Sequence, residues 1–440
     1  MRERVGWRRA ARAVLLCLIG ALLLSPALAQ DRTSAPADTL AANVERLAAQ
    51  FRGQARIDAT YAPGFLTDVP EAKLRALQRD VEAAIGPFAR FELTNRKGQQ
   101  AAVLTAIHAR GRTSVEVAFD PASGLVTGLL ITDVRRDADS VAGIVAELRA
   151  LPGTVTLLVE RTPADGTGPA ETVAALSPDR PMAVASTYKL AILAALADEV
   201  ALGRRRWADV VPLGAPSPPA SALARWPTGA PLTLHSLAAL AISVSDNRAA
   251  DTLMDMLGRD TVAARLAKTG LADPDRTLPL LTTRDAFALK SPGNAELLAR
   301  FLGAPEDEQA AILDRGRNRL GAAQVELGAL GSAPVAIDRI EWYMSMRNLT
   351  DLIRPLAIGG DAQVRAILAL NPGTGEAAAA RWDWIGYKGG SEPGVYATVT
   401  VAEKGAHRFV VSAAWNDPAK LLDEQRFAGL MRRLVDALPR

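Results

Sequence analysis

The sequence RPMAVASTYKL, residues 180–190, places a serine and a lysine three positions apart at the start of an apolar segment. The residues that follow, LAILAAL over 190–196, predict a buried helix that begins at Ser186. Positions i and i+3 lie on one helix face, so Lys189 is expected to stand over the Ser186 hydroxyl. The positive end of the helix dipole would favour a developing oxyanion there. Taken alone, the pair is more simply an N-terminal serine with a solvated lysine one turn on.

Two further polar motifs lie later in the chain. The first, SDN at residues 245–247, follows an apolar helix predicted over 232–244. Ser, Asp and Asn also cap helices, so a simple cap explains this motif equally well. The second, KGGS at residues 388–391, ends a predicted strand, and taken alone it is more simply a glycine-containing hairpin turn. Together the three motifs occupy a helix start, an inter-helix loop and a strand end, and such independent contexts rarely coincide.

The three motifs, in this order, resemble those of the class A β-lactamases and penicillin-binding proteins. The resemblance extends over most of residues 138–440. It implies an α+β fold, a β-lactamase/transpeptidase-like α/β sandwich in which an antiparallel sheet is flanked by helices. The two-domain layout resembles that of the β-lactamase-like protein of clavulanate biosynthesis, with a small cystatin/NTF2-like α+β domain in front.

The resemblance implies four catalytic residues. Ser186 would be acylated, and Lys189 would be its neutral general base. A cationic Lys388 nearby would lower the pKa of Lys189 by repulsion, and partial burial would act in the same direction. Ser245 would pass the proton to the leaving nitrogen of the substrate.

The resemblance also implies a substrate-binding set. Asn247 would hold the side-chain amide of the substrate, and Gly390 and Ser391 would lie beside the scissile bond. The backbone N–H groups of Ser186 and Ser391 would form the oxyanion hole. The family usually has a hydroxyl residue after the strand lysine, where this chain has Gly389. Ser391 is the residue that we expect to replace that hydroxyl.

A second departure concerns the release of the acyl group. Class A enzymes carry a Glu-x-x-Leu-Asn signature that activates the deacylating water, and residues 248–387 contain none. That interval holds the segment LPLLTTRD at 278–285 and an apparent insertion to about residue 338. Glu341 is the only replacement base that we name, and an acid at a helix start is its simpler interpretation. The sequence therefore predicts slow deacylation of β-lactams.

The first 29 residues predict a secretory signal peptide. Five arginines precede an apolar run over 13–24, and Ala27-Leu28-Ala29 closes the segment. A membrane span needs about twenty apolar residues, so we expect cleavage after Ala29 and no stable membrane anchor. The expected location of the protein is periplasmic or secreted.

Removal of this segment leaves a net charge of about −1, so no electrostatic footprint for nucleic acid remains. Cys17, the only cysteine, is lost with it, which excludes a disulfide from the mature chain. The three histidines, residues 108, 235 and 407, are scattered, so we expect neither a metal nor a cofactor. The expected partner is a small-molecule substrate, and the oligomeric state is open.

Two domains follow the signal peptide. Residues 30–136 predict a small α+β domain with helices over 36–52 and 69–85 and four strands over 89–95, 100–108, 112–119 and 125–132. Residues 137–440 predict the hydrolase domain. Its sheet is expected to draw strands from both ends of that interval, over 154–160, 172–176, 383–389, 394–402 and 408–415, around a helical block at roughly 195–380.

Several other functions stay open or are excluded. A Ser-His-Asp hydrolase is excluded because no Gly-x-Ser-x-Gly elbow is present. Within the same enzyme class, the alternatives to β-lactam hydrolysis are a small-ester hydrolase and a D,D-peptidase. From a different class, the chain would be a β-lactam-binding or sensor module that is acylated once and stays acylated.

Overall fold

The structure, a computed structural model, describes residues 39–166, 168–217, 221–271, 273–316, 330–359 and 361–439. The predicted signal peptide and the first residues of the helix predicted over 36–52 lie outside these ranges. In the described part of the chain, no helix is both long enough and apolar enough to cross a bilayer.

The N-terminal unit is an antiparallel meander of four strands packed on helices, as the sequence predicts. Inward-facing positions alternate along its second and third strands, which is the pattern of a sheet with one buried face. Its apolar core, which includes Leu47, Leu104 and Val115, is separate from the two cores that follow. The elements in chain order are α1 (Thr39–Phe51), α2 (Pro63–Asp68), α3 (Glu71–Ile85), β1 (Phe88–Arg96), β2 (Ala101–His108), β3 (Gly111–Phe119) and β4 (Val126–Arg136).

The second unit is built on a five-stranded antiparallel sheet with strand order β11-β12-β13-β5-β6. Two strands come from the start of this unit and three from its end, as predicted. The long strands are β5 (Thr154–Pro163), β6 (Glu171–Leu176), β11 (Trp384–Glu392), β12 (Val395–Lys404) and β13 (His407–Asn416). Two short pairs lie outside the sheet: β7 (Met182–Ala183) with β10 (Tyr343–Met344), and β8 (Val210–Pro212) with β9 (Pro231–Thr233).

Helices cover both faces of this sheet, and each face has its own apolar core. The first and last helices of the unit pack on one face. The helical block packs on the other face and carries most of the site. The helices are α4 (Val141–Arg149), α5 (Lys189–Ala201), α6 (Leu234–Ser243), α7 (Asn247–Leu257), α8 (Arg259–Ala267), α9 (Pro274–Thr277), α10 (Thr283–Lys290), α11 (Ala295–Gly303), α12 (Glu306–Gly316), α13 (Met346–Ala357), α14 (Ala362–Ala369), α15 (Glu376–Ala379) and α16 (Glu424–Asp436), with 3₁₀ turns at Ala185–Tyr188 and Pro292–Asn294.

Two local predictions are wrong. The glycine-rich motif at 388–391 is not a turn: it pairs with β12 along its whole length, and the hairpin turns after it at Pro393-Gly394. The helix predicted from Ser186 begins at Lys189, because Ser186 lies in the 3₁₀ turn before it. Both differences arise where the backbone of β11 meets the turn that holds Ser186.

The last strand of the first sheet, β4, ends at Arg136, and the predicted boundary lies directly after it. Two ion pairs cross it: Arg135 Nε lies 3.1 Å from Asp436 Oδ2, and Arg136 Nη1 lies 3.1 Å from Glu147 Oε1. The second pair is partly exposed and contributes little to stability, about 0–1 kcal/mol, whereas the side chains of the first pair are largely buried.

We therefore expect a chain that starts near Asp137 to fold and to keep the reactivity of Ser186. None of the described residues that line the cavity beside Ser186 belongs to 39–136. Circular dichroism would establish folding, and labelling with a fluorescent penicillin would measure reactivity against the full chain. A well-folded truncated protein that takes no label would show that the N-terminal unit contributes to the site.

Candidate active site

Ser186 lies on a strained turn. Ala185, immediately before it, has a φ of 43°, in the left-handed region that residues with a Cβ rarely adopt. Such conformations cost about 1–3 kcal/mol and persist only where the surroundings hold them. Here the Ala185 N–H donates to Glu341 Oε2 at 3.2 Å, and the Val184 N–H donates to the Trp342 carbonyl oxygen at 3.0 Å. These contacts fix the turn against the segment that contains β10.

The half-buried Ser186 lines a cavity of about 430 Å³. Within the described part of the chain, its hydroxyl makes no hydrogen bond. Six of the predicted site residues line this cavity: Ser186, Ser245, Asn247, Lys388, Gly390 and Ser391. Lys189 lies behind the wall and is fully buried.

The hydrogen bonds of Lys189 are made with the SDN loop. Its Nζ donates to the Ser245 carbonyl oxygen at 2.6 Å and to Asn247 Oδ1 at 2.7 Å, and it lies 3.4 Å from Ser245 Oγ. Burial lowers the pKa of Lys189 from 10.5 to about 7, against the opposing effect of the Asp251 and Asp246 charges. Burial therefore lowers the pKa of Lys189, and the repulsion by Lys388 that we expected is not among its causes.

Lys388 approaches the same loop from β11. Its Nζ donates to Ser245 Oγ at 3.0 Å and also to the Gly389 carbonyl oxygen. Burial, and secondarily the charge of Lys189, hold the pKa of Lys388 well below its ordinary value. The two lysines therefore meet at the Ser245 hydroxyl, which forms a path along which a proton can pass between them.

In the SDN loop, Asp246 caps a helix while Ser245 and Asn247 line the cavity beside Ser186. The Asp246 carboxylate caps α7 by accepting from the Ala249 N–H at 2.8 Å. Ser245 has a φ of 59°, again in the left-handed region. This sharp reversal between α6 and α7 directs Ser245 and Asn247 to Lys189. The helix-cap interpretation therefore accounts for Asp246 but not for its neighbours.

Gly389 and Gly390 of β11 each leave space for a different neighbour, Tyr387 and the Ser186 turn. A Cβ on Gly390 would lie 2.4 Å from the Ser186 nitrogen, so no side chain fits between the strand and the nucleophile turn. A Cβ on Gly389 would lie 2.2 Å from the Tyr387 hydroxyl oxygen. Gly390 therefore brings the strand to Ser186, while Gly389 leaves room for Tyr387.

Alternation along β11 separates its side chains into two sets. Lys388, Gly390 and Glu392 share the face that meets the Ser186 turn. On the other face, the Ser391 hydroxyl donates to the Glu424 carboxylate of α16. The hydroxyl that lies over Gly389 belongs to Tyr387, which donates to Tyr396.

Glu341 is part of a buried ionic cluster. Lys290 Nζ lies 2.9 Å from Glu341 Oε1 and 2.5 Å from a Glu392 carboxylate oxygen. Glu341 Oε2 accepts from the N–H groups of Ala185 and Trp342 at 3.2 Å each. The interpretation of Glu341 as a helix-start acid is wrong, since the next helix, α13, begins at Met346 behind a Ser345 cap.

Sequence reasoning missed Lys290 and Glu392. Burial and the neighbouring Glu341 hold the pKa of Glu392 well above its ordinary value, and the two carboxylates raise the pKa of Lys290 in spite of its burial. The strand position of Glu392, two and four residues after Gly390 and Lys388, was the signal available in the sequence. No sequence signal points to Lys290.

Part of the chain matches the model of one protein family. Residues 144–299 match the family model described as the Beta-lactamase enzyme family. The matched segment contains the Ser186 and SDN motifs and ends before β11. In the described residues, no group of three or more His, Cys, Asp or Glu side chains forms a candidate metal site.

Solved β-lactamases are similar to this chain. That of Sphaerobacter thermophilus is 22% identical, with 68% of this chain and 94% of that chain covered and a TM-score of 0.47. An ancestral (GNCA) class A β-lactamase is 19% identical, with 68% and 99% covered and a TM-score of 0.45. A β-lactamase from Xanthomonas campestris pv. campestris is 17% identical, with 68% and 95% covered and a TM-score of 0.44. A search of curated proteins found no match. With the family match over 144–299 and a helix-flanked antiparallel sheet, the unit that carries Ser186 is similar in fold to the β-lactamases.

Proposed function

We propose that this chain is an exported serine hydrolase that acts through an acyl-enzyme on Ser186. Its substrates would be β-lactams or related amides and esters. The observation that carries the proposal is the meeting of Lys189 and Lys388 at the Ser245 hydroxyl, beside the cavity that Ser186 lines. Two buried amines with lowered pKa values and a shared hydroxyl provide a proton acceptor and a proton path, which an acylated serine requires.

In the proposed acylation, Ser186 Oγ forms a bond to the substrate carbonyl carbon while neutral Lys189 accepts the hydroxyl proton. The N–H groups of Ser186 and Ser391 stabilise the oxyanion. The bond to the leaving nitrogen or oxygen then breaks, and that atom receives the proton of Ser245, which Lys189 replaces. In the resting site Lys189 is held by Asn247 Oδ1. A substrate amide that binds Asn247 would therefore release Lys189 toward Ser186.

Deacylation is the weaker half of the proposed reaction. Glu341, the only base that the sequence offered, uses one carboxylate oxygen for Lys290 and the other for two backbone N–H groups. A carboxylate so engaged is poorly placed to activate water. This arrangement favours a persistent acyl-enzyme on bulky substrates, and it keeps the small-ester hydrolase, the D,D-peptidase and the non-turnover sensor as the alternatives.

The test is the site of covalent modification. After exposure to a penicillin or to an activated short-chain ester, peptide mass spectrometry should locate one adduct on the peptide that contains Ser186. The Ser186→Ala protein should carry none. An adduct that persists in Ser186→Ala would reject the assignment of the nucleophile.

We also propose export of the protein, on the basis of the basic, apolar and small-residue segments of its first 29 residues. The mature chain should begin at Gln30. N-terminal sequencing of the protein from the extracytoplasmic fraction measures this directly, and a chain recovered there with its first residues intact would contradict cleavage after Ala29.

A further inference from the structure

Few of the residues that line the cavity beside Ser186 carry a charge. Among the described lining residues, Lys388 is the only basic one, and Glu341 and Glu392 are the acidic ones. The remaining wall is neutral, and it includes the apolar or aromatic side chains of Ile242, Val244, Phe287, Trp342, Tyr387 and Tyr396. A ligand in this cavity therefore meets few charges that it can pair with.

The basic lining residue, Lys388, already donates hydrogen bonds within the protein. Lys388 is 1% exposed and donates to both Ser245 Oγ and the Gly389 carbonyl oxygen. Burial and the charge of Lys189 lower the pKa of Lys388, which disfavours its charged form. A substrate carboxylate placed here would find an amine that is buried and already hydrogen-bonded within the protein.

Beside the two acidic residues of the cavity, the nearby cation Lys290 is already paired. Lys290 is 4% exposed and lies between the Glu341 and Glu392 carboxylates, at 2.9 and 2.5 Å. These two groups satisfy its charge. An anionic substrate group brought to this wall would lose its hydration and gain a like-charged neighbour, which disfavours binding.

We propose that this cavity selects substrates that carry no charge beside the scissile carbonyl: neutral esters and amides, and β-lactams whose carboxylate is masked. Substrates with a free carboxylate at that place acylate Ser186 more slowly. The inference rests on the proposed acyl-enzyme at Ser186 and names the substrate class of that site.

The experiment compares benzylpenicillin with its methyl ester, which differ in that charge and in one methyl group. Quenched-flow mass spectrometry on the full mature chain measures the second-order rate constant of adduct formation at Ser186. We expect the methyl ester to react at least about tenfold faster. If the free acid reacts as fast or faster, the inference is overturned while the proposed function stands. If neither compound modifies Ser186, the proposed function fails and the inference fails with it.

A variant series tests whether charge is the cause. Val244 lines the cavity with 58% of its surface exposed, so Val244→Arg adds a cation at the rim without filling the core. We expect Val244→Arg to speed acylation by the free acid relative to the methyl ester by about threefold or more, because it supplies the missing partner.

Two control variants test whether the effect of Val244→Arg comes from a positive charge inside the cavity. Val244→Gln changes the same position without adding a charge, and Leu202→Arg adds the same charge at an exposed position after α5, outside the cavity lining. Neither should shift the ratio of the two rate constants as Val244→Arg does. A ratio that moves equally in Leu202→Arg, or that does not move in Val244→Arg, would contradict selection by cavity charge.

Discussion

Replacement of Lys189 by methionine should slow the acylation of Ser186 by about 10²–10⁴-fold, the usual contribution of a general base. Methionine retains the apolar stem of the lysine and removes the amine that contacts Ser245 and Asn247. Because burial of the ammonium is costly, the variant should fold at least as well as the parent. Stopped-flow measurement with a chromogenic cephalosporin gives the rate, and thermal unfolding checks the fold.

The rate of acylation of Ser186 should also depend on pH. The base is the neutral form of Lys189, whose pKa is lowered to about 7. The acylation rate should therefore rise roughly tenfold per pH unit below that value and level off above it. Lys189→Met should lose this dependence, whereas Lys404→Met, on β12 and outside the cavity lining, should keep both the rate and the inflection. A Lys189→Met protein with the parental rate and profile would exclude Lys189 as the base.

Pre-steady-state kinetics with a chromogenic cephalosporin should show a burst close to one equivalent of enzyme, followed by slow turnover. The proton path that serves acylation is complete, whereas the carboxylates beside Ser186 are held in the Lys290 cluster. A missing base for water costs about 10²–10⁴ in rate, so release should lag formation by that factor. Small esters, which leave a less bulky acyl group, should show a smaller imbalance.

Rapid turnover without a burst would contradict this prediction and would mean that a residue does supply the base. Glu341→Gln and Glu392→Gln then identify it. Glu341→Gln also removes the ionic partner of Lys290 and an acceptor for the Ala185 N–H, so its unfolding temperature must be measured beside its rate. Glu392→Gln leaves the Glu341 contact with Lys290 in place and is the cleaner variant of the two.

The amino-acid pattern predicted the order of the three motifs and the nine strands of the two large sheets, but not the four short strands β7–β10. The meander β1–β4 and the contribution of both chain ends to the second sheet follow from alternating apolar residues and turn residues, which act over a few positions. The motif residues at 186, 245–247 and 388–391 were identified from their order and from the family resemblance, and seven of these eight residues line one cavity.

The contacts and pKa values of these residues could not be predicted from the sequence, because they depend on tertiary packing. The direction of Lys189 and its pKa depend on burial and on the SDN loop, 56 to 58 residues away. The glycine-rich motif became strand and not turn because the Ser186 turn lies against Gly390. The cluster of Lys290, Glu341 and Glu392 joins residues 51 and 102 positions apart. Local patterns cannot encode such contacts, because burial and charge pairing arise only when distant segments pack together.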